Sequence, residues 1–362
     1  MGLISLNKVS LRYGLRTLLD EADLSVEKGD RMSLIGRNGC GKTTLLKMIA
    51  GIVRPDSGTV ERVKNLTTAY LPQDVPSDLT GSVFDVLASG LGLAGKAAAA
   101  HRKIEAGNAA DAERVEFEEL SRGVAESEIW AAEVKILETS DRLELDPLQD
   151  TRSASAGLKR RALLGAGIIS DPDLLLLDEP TKGLDAEFKQ TFGQILRTLQ
   201  VSGTAILMVS HDIEFCAKYA DRCALFFDGS IVTEAAPRTF FSGNSFYSTA
   251  ANRIARDVLP EAVTPEDVIA ACGGTVEAEP ALPECKHVPA VPEKETQALK
   301  KLPVWRKILA AVSGFASLAL TVQAIGATDL TNLIDAGGLT AFADSQLRLY
   351  GILLICLLVF AL

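Results

Sequence analysis

The spacing of apolar and polar positions changes several times along this chain, and each change marks an expected element. Leu3 to Leu11 and Leu18 to Val26 read as strands, and the turn Glu27-Lys28-Gly29-Asp30 leads into a short apolar strand, Arg31 to Ile35. A helix is expected over Thr44 to Ala50. After the turn Arg54-Pro55-Asp56-Ser57-Gly58 come a strand through Val60 and another from Ala69 through Asp74. From about Ser82 to Asp150 the pattern becomes helical, including Ala109 to Ser121 and Glu126 to Leu145, with Ala, Glu, Leu and Lys/Arg dominating. Leu174 to Leu177 are four successive leucines bounded by Pro172-Asp173 and Pro180, which suits a strand buried on both faces of a parallel sheet. Thr204 to Val209 reads as a further strand. The expected class is α/β, with an inserted helical lobe between about residues 80 and 165.

Composition narrows this picture. The chain has 362 residues, more than one average domain, with 47% hydrophobic and 23% charged residues. Its net charge of −10 argues against a protein that coats nucleic acid, so no direct nucleic-acid partner is expected. Cys40, Cys216, Cys223, Cys272, Cys285 and Cys356 are scattered without Cys-x-x-Cys spacing, which favours a reduced environment over a disulfide framework. Cys285 and His287 lack further ligands nearby to complete a zinc set. Charges and a glycine interrupt the N-terminal apolar run, so no signal peptide is expected.

The chemistry concentrates between the third strand and the helix after it, where the chain reads Gly36-Arg37-Asn38-Gly39-Cys40-Gly41-Lys42-Thr43. A glycine, four free positions and Gly-Lys-Thr between a strand and a helix form a phosphate-loop pattern. Its glycines permit tight turning, so that backbone N–H groups from Gly36 through Asn38, Gly39, Cys40 and Gly41 meet an anion at the positive end of a helix. Lys42 is then expected to bridge β- and γ-phosphates, Thr43 to give its hydroxyl to Mg2+, and Thr44 to reach the α-phosphate. Asp178 and Glu179 end the four-leucine strand, in the crevice where open α/β sheets bind ligands. Asp178 is expected in the Mg2+ shell and Glu179 as the base that takes a proton from the attacking water. Gln73 is expected to touch the metal or that water, and His211 the γ-phosphate. Tyr13 lies 23 residues before Gly36 and is either a stacking platform for a base or an ordinary strand aromatic.

The order of these motifs resembles the nucleotide-binding domain of the ATP-binding cassette (ABC) ATPases over residues 1 to 255. The matching features are Tyr13, the phosphate loop, Gln73, Ala154-Ser155-Ala156-Gly157-Leu158, the strand ending Asp178-Glu179, Lys182-Gly183-Leu184-Asp185 and His211. The resemblance implies ATP and Mg2+ as cofactors, ATP hydrolysis, and an antiparallel β subdomain beside a mixed sheet. It adds Asp185 to the nucleotide-binding residues. It also implies a second cassette as partner, with Ser155 and Gly157 of one chain touching the nucleotide of the other. The family's signature usually reads Leu-Ser-Gly-Gly-Gln. Here Ala154, Ala156 and Leu158 replace its Leu, first Gly and Gln, which implies a weakened contribution to a partner's site.

Two subfamilies are resembled in different stretches. Residues 1 to about 165 resemble ABC-F ATPases, which act on ribosomes. Asp178 to about Cys272 resembles the ATPase subunits of energy-coupling-factor (ECF) transporters, which import vitamins or metal ions. The C-terminal quarter favours the second. Asp257 to Lys301 carries six prolines and nine acidic residues against four lysines, which suits a linker. Ile308 to Thr328 follows, with 21 uncharged residues that span about 31 Å as a helix, close to the ~30 Å of a membrane core. Lys300, Lys301, Arg306 and Lys307 precede this run and Asp329 and Asp335 follow it, which places the ATPase on the cytoplasmic face. Leu349 to Leu362 resembles a cut-off second span, so the sequence reads as part of a longer polytopic protein. Three segments are thus expected: a cassette at 1–255, an acidic linker at 256–303 and membrane segments at 304–362. The expected function is ATP-driven transport together with transmembrane components. Alternatives are a ribosome-acting ATPase and a nucleotide-dependent dimerisation clamp with little hydrolysis.

Overall fold

The computed structural model of the chain describes residues 2–76, 79–105, 111–244 and 246–276. The expected membrane segments at 304–362, with Cys285, His287 and Cys356, lie outside the described residues. Among the described residues, no helix is long and apolar enough to cross a membrane.

β1 (Gly2–Tyr13) and β2 (Arg16–Glu27) form an antiparallel hairpin, and β4 (Ser57–Arg62) pairs with the other edge of β1. Ile4, Leu6, Val9, Leu19, Leu24 and Val26 turn one apolar face of this sheet inward, and the opposite positions are largely exposed. Between β2 and β4 the chain supplies β3 (Arg31–Ile35) and α1 (Lys42–Ile49). β5 (Thr68–Leu71) ends before Pro72, short of the expected end at Asp74, because proline has no N–H to continue a ladder. Gln73 therefore sits in a bend beyond the strand.

The lobe comprises α2 (Val83–Ser89), α3 (Gly92–Glu105), α4 (Asp111–Ser121), α5 (Glu126–Arg142) and α6 (Ala156–Ile168). A capping box between Ser82 and Asp85 starts α2. Phe84 and Leu87 of α2 are buried in one cluster with Ile129, Ile136, Leu143 and Leu164. The remaining elements are β6 (Leu174–Asp178), α7 (Ala186–Val201), β7 (Ala205–Val209), α8 (Ile213–Tyr219), β8 (Arg222–Phe227), β9 (Ser230–Ala235), α9 (Pro237–Ser242), α10 (Ala250–Ala255) and α11 (Pro265–Ala271).

The central sheet has strand order β5-β6-β7-β3-β8-β9, parallel throughout except for β9. β6 is wholly buried, as the leucine run predicts: Leu174 and Leu176 face the cluster that includes α1, while Leu175 and Leu177 face the one that includes Phe188 and Phe192 of α7. Burying each such leucine contributes about 1.5–3 kcal/mol. This fixes the depth of Asp178, the strand's last residue.

Part of the expected linker is folded. Thr264 caps α11, its hydroxyl accepting from the Asp267 N–H while the Asp267 carboxylate accepts from the Thr264 N–H, and Pro265 occupies the first turn. Lys218 of α8 pairs with Glu266 at 2.6 Å, and Arg238 of α9 pairs with Asp267. Proline and acidic residues, counted as linker composition, here form a helix start.

Candidate functional site

The register of the central sheet gathers three strand ends. Leu34 of β3 and Asp178 of β6 both stand opposite Val209 of β7, so the chain leaving β3, β6 and β7 enters one crevice. A cavity of 920 Å³ lies there, lined by Asn38, Gly39, Gly41, Lys42, Thr43, Thr44, Gln73, Asp178, Glu179 and His211, together with Leu18, Thr181 to Leu184 and Lys189. Ten of the residues expected at the site thus share one wall.

The loop from Gly36 to Gly41 folds tightly because two of its glycines take left-handed conformations, Gly39 at φ +73° and Gly41 at φ +116°. At Gly41 a Cβ would also fall 2.6 Å from the Leu18 carbonyl oxygen, so the position excludes side chains twice over. Gly41 precedes α1, and no side chain caps that helix. Lys42 is buried and curls back over its own loop, donating from Nζ to the carbonyls of Gly36 at 2.7 Å and Arg37 at 2.9 Å. Arg16 of β2 braces the loop from outside, bonding to the Gly39 carbonyl at 2.7 Å.

Asp178 has no exposed surface, and neither of its carboxylate oxygens has a hydrogen-bond partner among the described residues. Burial raises its pKa above the usual carboxylate range, against the pull of the neighbouring Thr43 hydroxyl, Lys47 and Lys42. Tyr70 of β5 stands beside it, its buried hydroxyl next to the Asp178 carboxylate and its pKa pushed up to about 12 by burial and then by the Asp178 charge. Glu179 follows with φ +52°, a left-handed backbone unusual for a non-glycine residue. Its N–H donates to the Val209 carbonyl at 2.9 Å, which turns its side chain toward β7. There one carboxylate oxygen accepts from the His211 N–H at 3.2 Å and the other lies 3.3 Å from His211 Nε2. Burial raises the Glu179 pKa, opposed chiefly by His211 and Lys42.

The other expected residues lie outside the cavity lining. Tyr13 ends β1 with 60% of its surface exposed and pairs with Arg16 across the hairpin. Gly36 is held by packing, since a Cβ there would meet the Phe226 carbonyl oxygen at 2.3 Å. Cys40 Sγ lies 3.8 Å from Lys42 Nζ and 3.9 Å from that same carbonyl. Asp185 caps α7, accepting from the Phe188 N–H at 2.7 Å. Ser155 caps α6, accepting from the Leu158 N–H at 3.2 Å, and Gly157 packs against the Gly183 carbonyl.

Residue-type reasoning missed Arg160. It is 7% exposed, bonding from Nη1 to the Lys182 carbonyl at 3.0 Å and from Nη2 to the Gln73 carbonyl. Its charge lies near Glu179, Asp74 and Asp178, and burial lowers its pKa. The available signal was a basic triplet, Lys159-Arg160-Arg161, inside a helix of otherwise small and apolar residues. Tyr70 and Arg16 carried no pattern of their own.

A phosphate loop on a parallel sheet, an antiparallel sheet beside it and a helical lobe before the acidic strand end together define an ATP-binding cassette. The chain belongs to the ABC transporter ATP-binding family. The ABC transporter family matches residues 19–182. The zinc import ATP-binding protein ZnuC of Roseobacter denitrificans is 32% identical over 250 residues, covering 68% of this chain and 83% of that protein. The ATP-binding protein Uup of Haemophilus influenzae is 36% identical over 236 residues, covering 64% of this chain and 36% of Uup. A Bacillus thuringiensis subsp. konkukian chain with an ABC ATP-binding designation is 34% identical over 289 residues, 75% of this chain, and this chain spans 46% of its length. Among solved structures, a nucleotide-free ATP-binding cassette from an ABC transporter superposes with a TM-score of 0.50 at 20% identity, covering 68% of this chain and 97% of that one. The dimeric cassette MJ0796 bound to ADP and Pi gives the same TM-score and identity, covering 65% and 99%. These two likenesses concern the fold.

Proposed function

We propose that this chain binds Mg·ATP in the crevice at the start of α1 and hydrolyses it to energise a membrane transporter. The observation that carries the site reading is Asp178, a fully buried carboxylate that stands beside the Thr43 and Tyr70 hydroxyls and neither of whose oxygens meets a cation or a well-formed hydrogen bond among the described residues. A buried carboxylate left unpaired is costly, and a cation at this position removes the cost. Among the described residues, no group of three His, Cys, Asp or Glu forms an all-protein metal cage. A single carboxylate supplemented by substrate phosphates suits Mg2+, which commonly keeps water and phosphate in its shell. Asp178 and Thr43 would hold it, and Gln73 lines the same cavity. Bound there, Mg2+ supplies charge neutralisation for the phosphates.

The chain's own groups supply the rest. Lys42 swings Nζ from the Gly36 and Arg37 carbonyls onto the β- and γ-phosphate oxygens, exchanging neutral acceptors for charged ones. The N–H groups at the uncapped start of α1 point at the same phosphates, and Thr44 reaches the α-phosphate. Glu179 accepts the proton of the attacking water, and a carboxyl raised by burial sits closer to the working pH of a general base. His211, fixed against Glu179, orients that carboxylate and faces the γ-phosphate. In this reading Ser155 and Gly157 serve a second cassette, Asp185 acts through the cap of α7, and Tyr13 stacks on the base from the hairpin tip.

Import of a metal ion, as in an ECF-type or related importer, is supported by the zinc-import relative, whose length this chain largely spans. The partners are then a second cassette and transmembrane components, at the cytoplasmic face of the membrane. A second reading, an ABC-F-like ATPase acting on the ribosome, is favoured by the higher identity to Uup. Detergent-free lysis and sedimentation of the full-length protein separate them. Transport predicts an ATP-hydrolysing membrane fraction, whereas a soluble protein that cosediments with ribosomes would sink it.

A further inference from the structure

The cavity and the start of α6 are tied together from behind. Arg160 lies in the second turn of α6 and spans two loops with one planar fork, Nη1 on the Lys182 carbonyl at 3.0 Å and Nη2 on the Gln73 carbonyl. Gln73, Lys182, Gly183 and Leu184 all line the cavity. Arg160 does not line it. The first turn of α6 has no slack against the same loop, since a Cβ on Gly157 would stand 3.0 Å from the Gly183 carbonyl oxygen. Among the described residues Nε of Arg160 has no partner, and the hydrogen bonds of this side chain go to these two carbonyls. A guanidinium buried to this extent holds its place only while both acceptors stay put.

We propose that Arg160 is a positioning residue that couples the nucleotide cavity to the Ala154–Leu158 turn. A ligand that draws in Gln73 or the Lys182–Leu184 loop then moves the start of α6 with it. Thermodynamic reciprocity requires that a partner seated on Ser155 and Gly157 alter nucleotide affinity in this chain's own cavity by the same factor. The inference rests on the reading of the cavity as a nucleotide site and adds the route by which its occupancy reaches a surface outside it.

Amide hydrogen exchange on the full chain tests it, with and without Mg2+ and a non-hydrolysable ATP analogue, in the wild type and in Arg160→Met. In the wild type, exchange at residues 39–44 and at 154–159 should slow at the same nucleotide concentration, the second by roughly threefold or more. In Arg160→Met, residues 39–44 should still be protected while the change at 154–159 disappears. Where Arg160→Met fails to fold by circular dichroism, Arg160→Lys, which reaches one carbonyl, should at least halve the change at 154–159. The proposal is overturned if 154–159 does not respond in the wild type, or responds equally in the variants. Absence of protection at 39–44 in the wild type would instead remove the nucleotide site itself.

Discussion

Two helices begin on the crevice side of this molecule, and they begin differently. α1 follows Gly41, which offers no side chain to cap it, so the donors of its first turn remain for a ligand. α6 follows Ser155, whose hydroxyl takes the Leu158 N–H at 3.2 Å. One helix start is left open, as an anion site would be, and the other completes itself. Family resemblance alone puts both at a nucleotide, whereas here Gly41 to Thr44 line the cavity and Ser155 and Gly157 do not. The difference also explains why lysine tolerates burial in the first. Lys42 has the Gly36 and Arg37 carbonyls to hold.

The contrast can be broken by substitution. Glu179→Gln should cut ATP turnover by roughly 100- to 10,000-fold, the range for a lost general base, while ATP still binds. Steady-state phosphate release checks this, and undiminished turnover would move the chemistry away from the α1 crevice. Lys42→Ala should weaken ATP binding by about 100-fold in calorimetry, since charged hydrogen bonds of this kind contribute up to about 3 kcal/mol. Ser155→Ala should cost about 1 kcal/mol of stability through the lost cap, seen as a lower Tm, with ATP affinity changed by no more than about threefold. An affinity loss as large as that of Lys42→Ala would place both helix starts at one site.

The smallest expected effect lies in the lobe that carries α6. Glu133 of α5 is buried, and burial raises its pKa, opposed by Arg102 and His101 of α3. The folded chain therefore binds this proton more tightly than the unfolded chain does. The associated stability is present below the ordinary glutamate value of 4.5 and is lost as pH rises through the raised value. Glu133→Gln removes that loss, so its Tm should gain on the wild type as pH goes from about 4 to about 7. A difference that stays flat with pH would contradict the assignment.

Much of this architecture was legible in the residues because short-range rules govern it. Four leucines bounded by prolines could hardly be anything but a doubly buried strand, and glycines at 39 and 41 announce left-handed backbone. Asp178, Glu179 and His211 could be placed together because the crevice rule locates parallel strand ends before side chains are considered. What escaped depended on tertiary neighbours. Arg160 serves through backbone carbonyls 22 and 87 residues away, which no local pattern reveals. Asp185 matched a family position, yet its local geometry is that of a helix cap. The acidic, proline-bearing stretch after Asp257 matched linker composition, and Lys218 and Arg238 on distant helices hold part of it in place as α11.

In the proposed function Asp178 waits for a cation that arrives with nucleotide. Calorimetric titration of ATP with Mg2+ and with EDTA, in the wild type and in Asp178→Asn, tests it most directly. The wild type should bind ATP about tenfold or more tightly with Mg2+, equivalent to about 1.4 kcal/mol, and Asp178→Asn should lose that difference. Equal affinity with and without Mg2+ in the wild type, or a Mg2+ effect undiminished in Asp178→Asn, would contradict it.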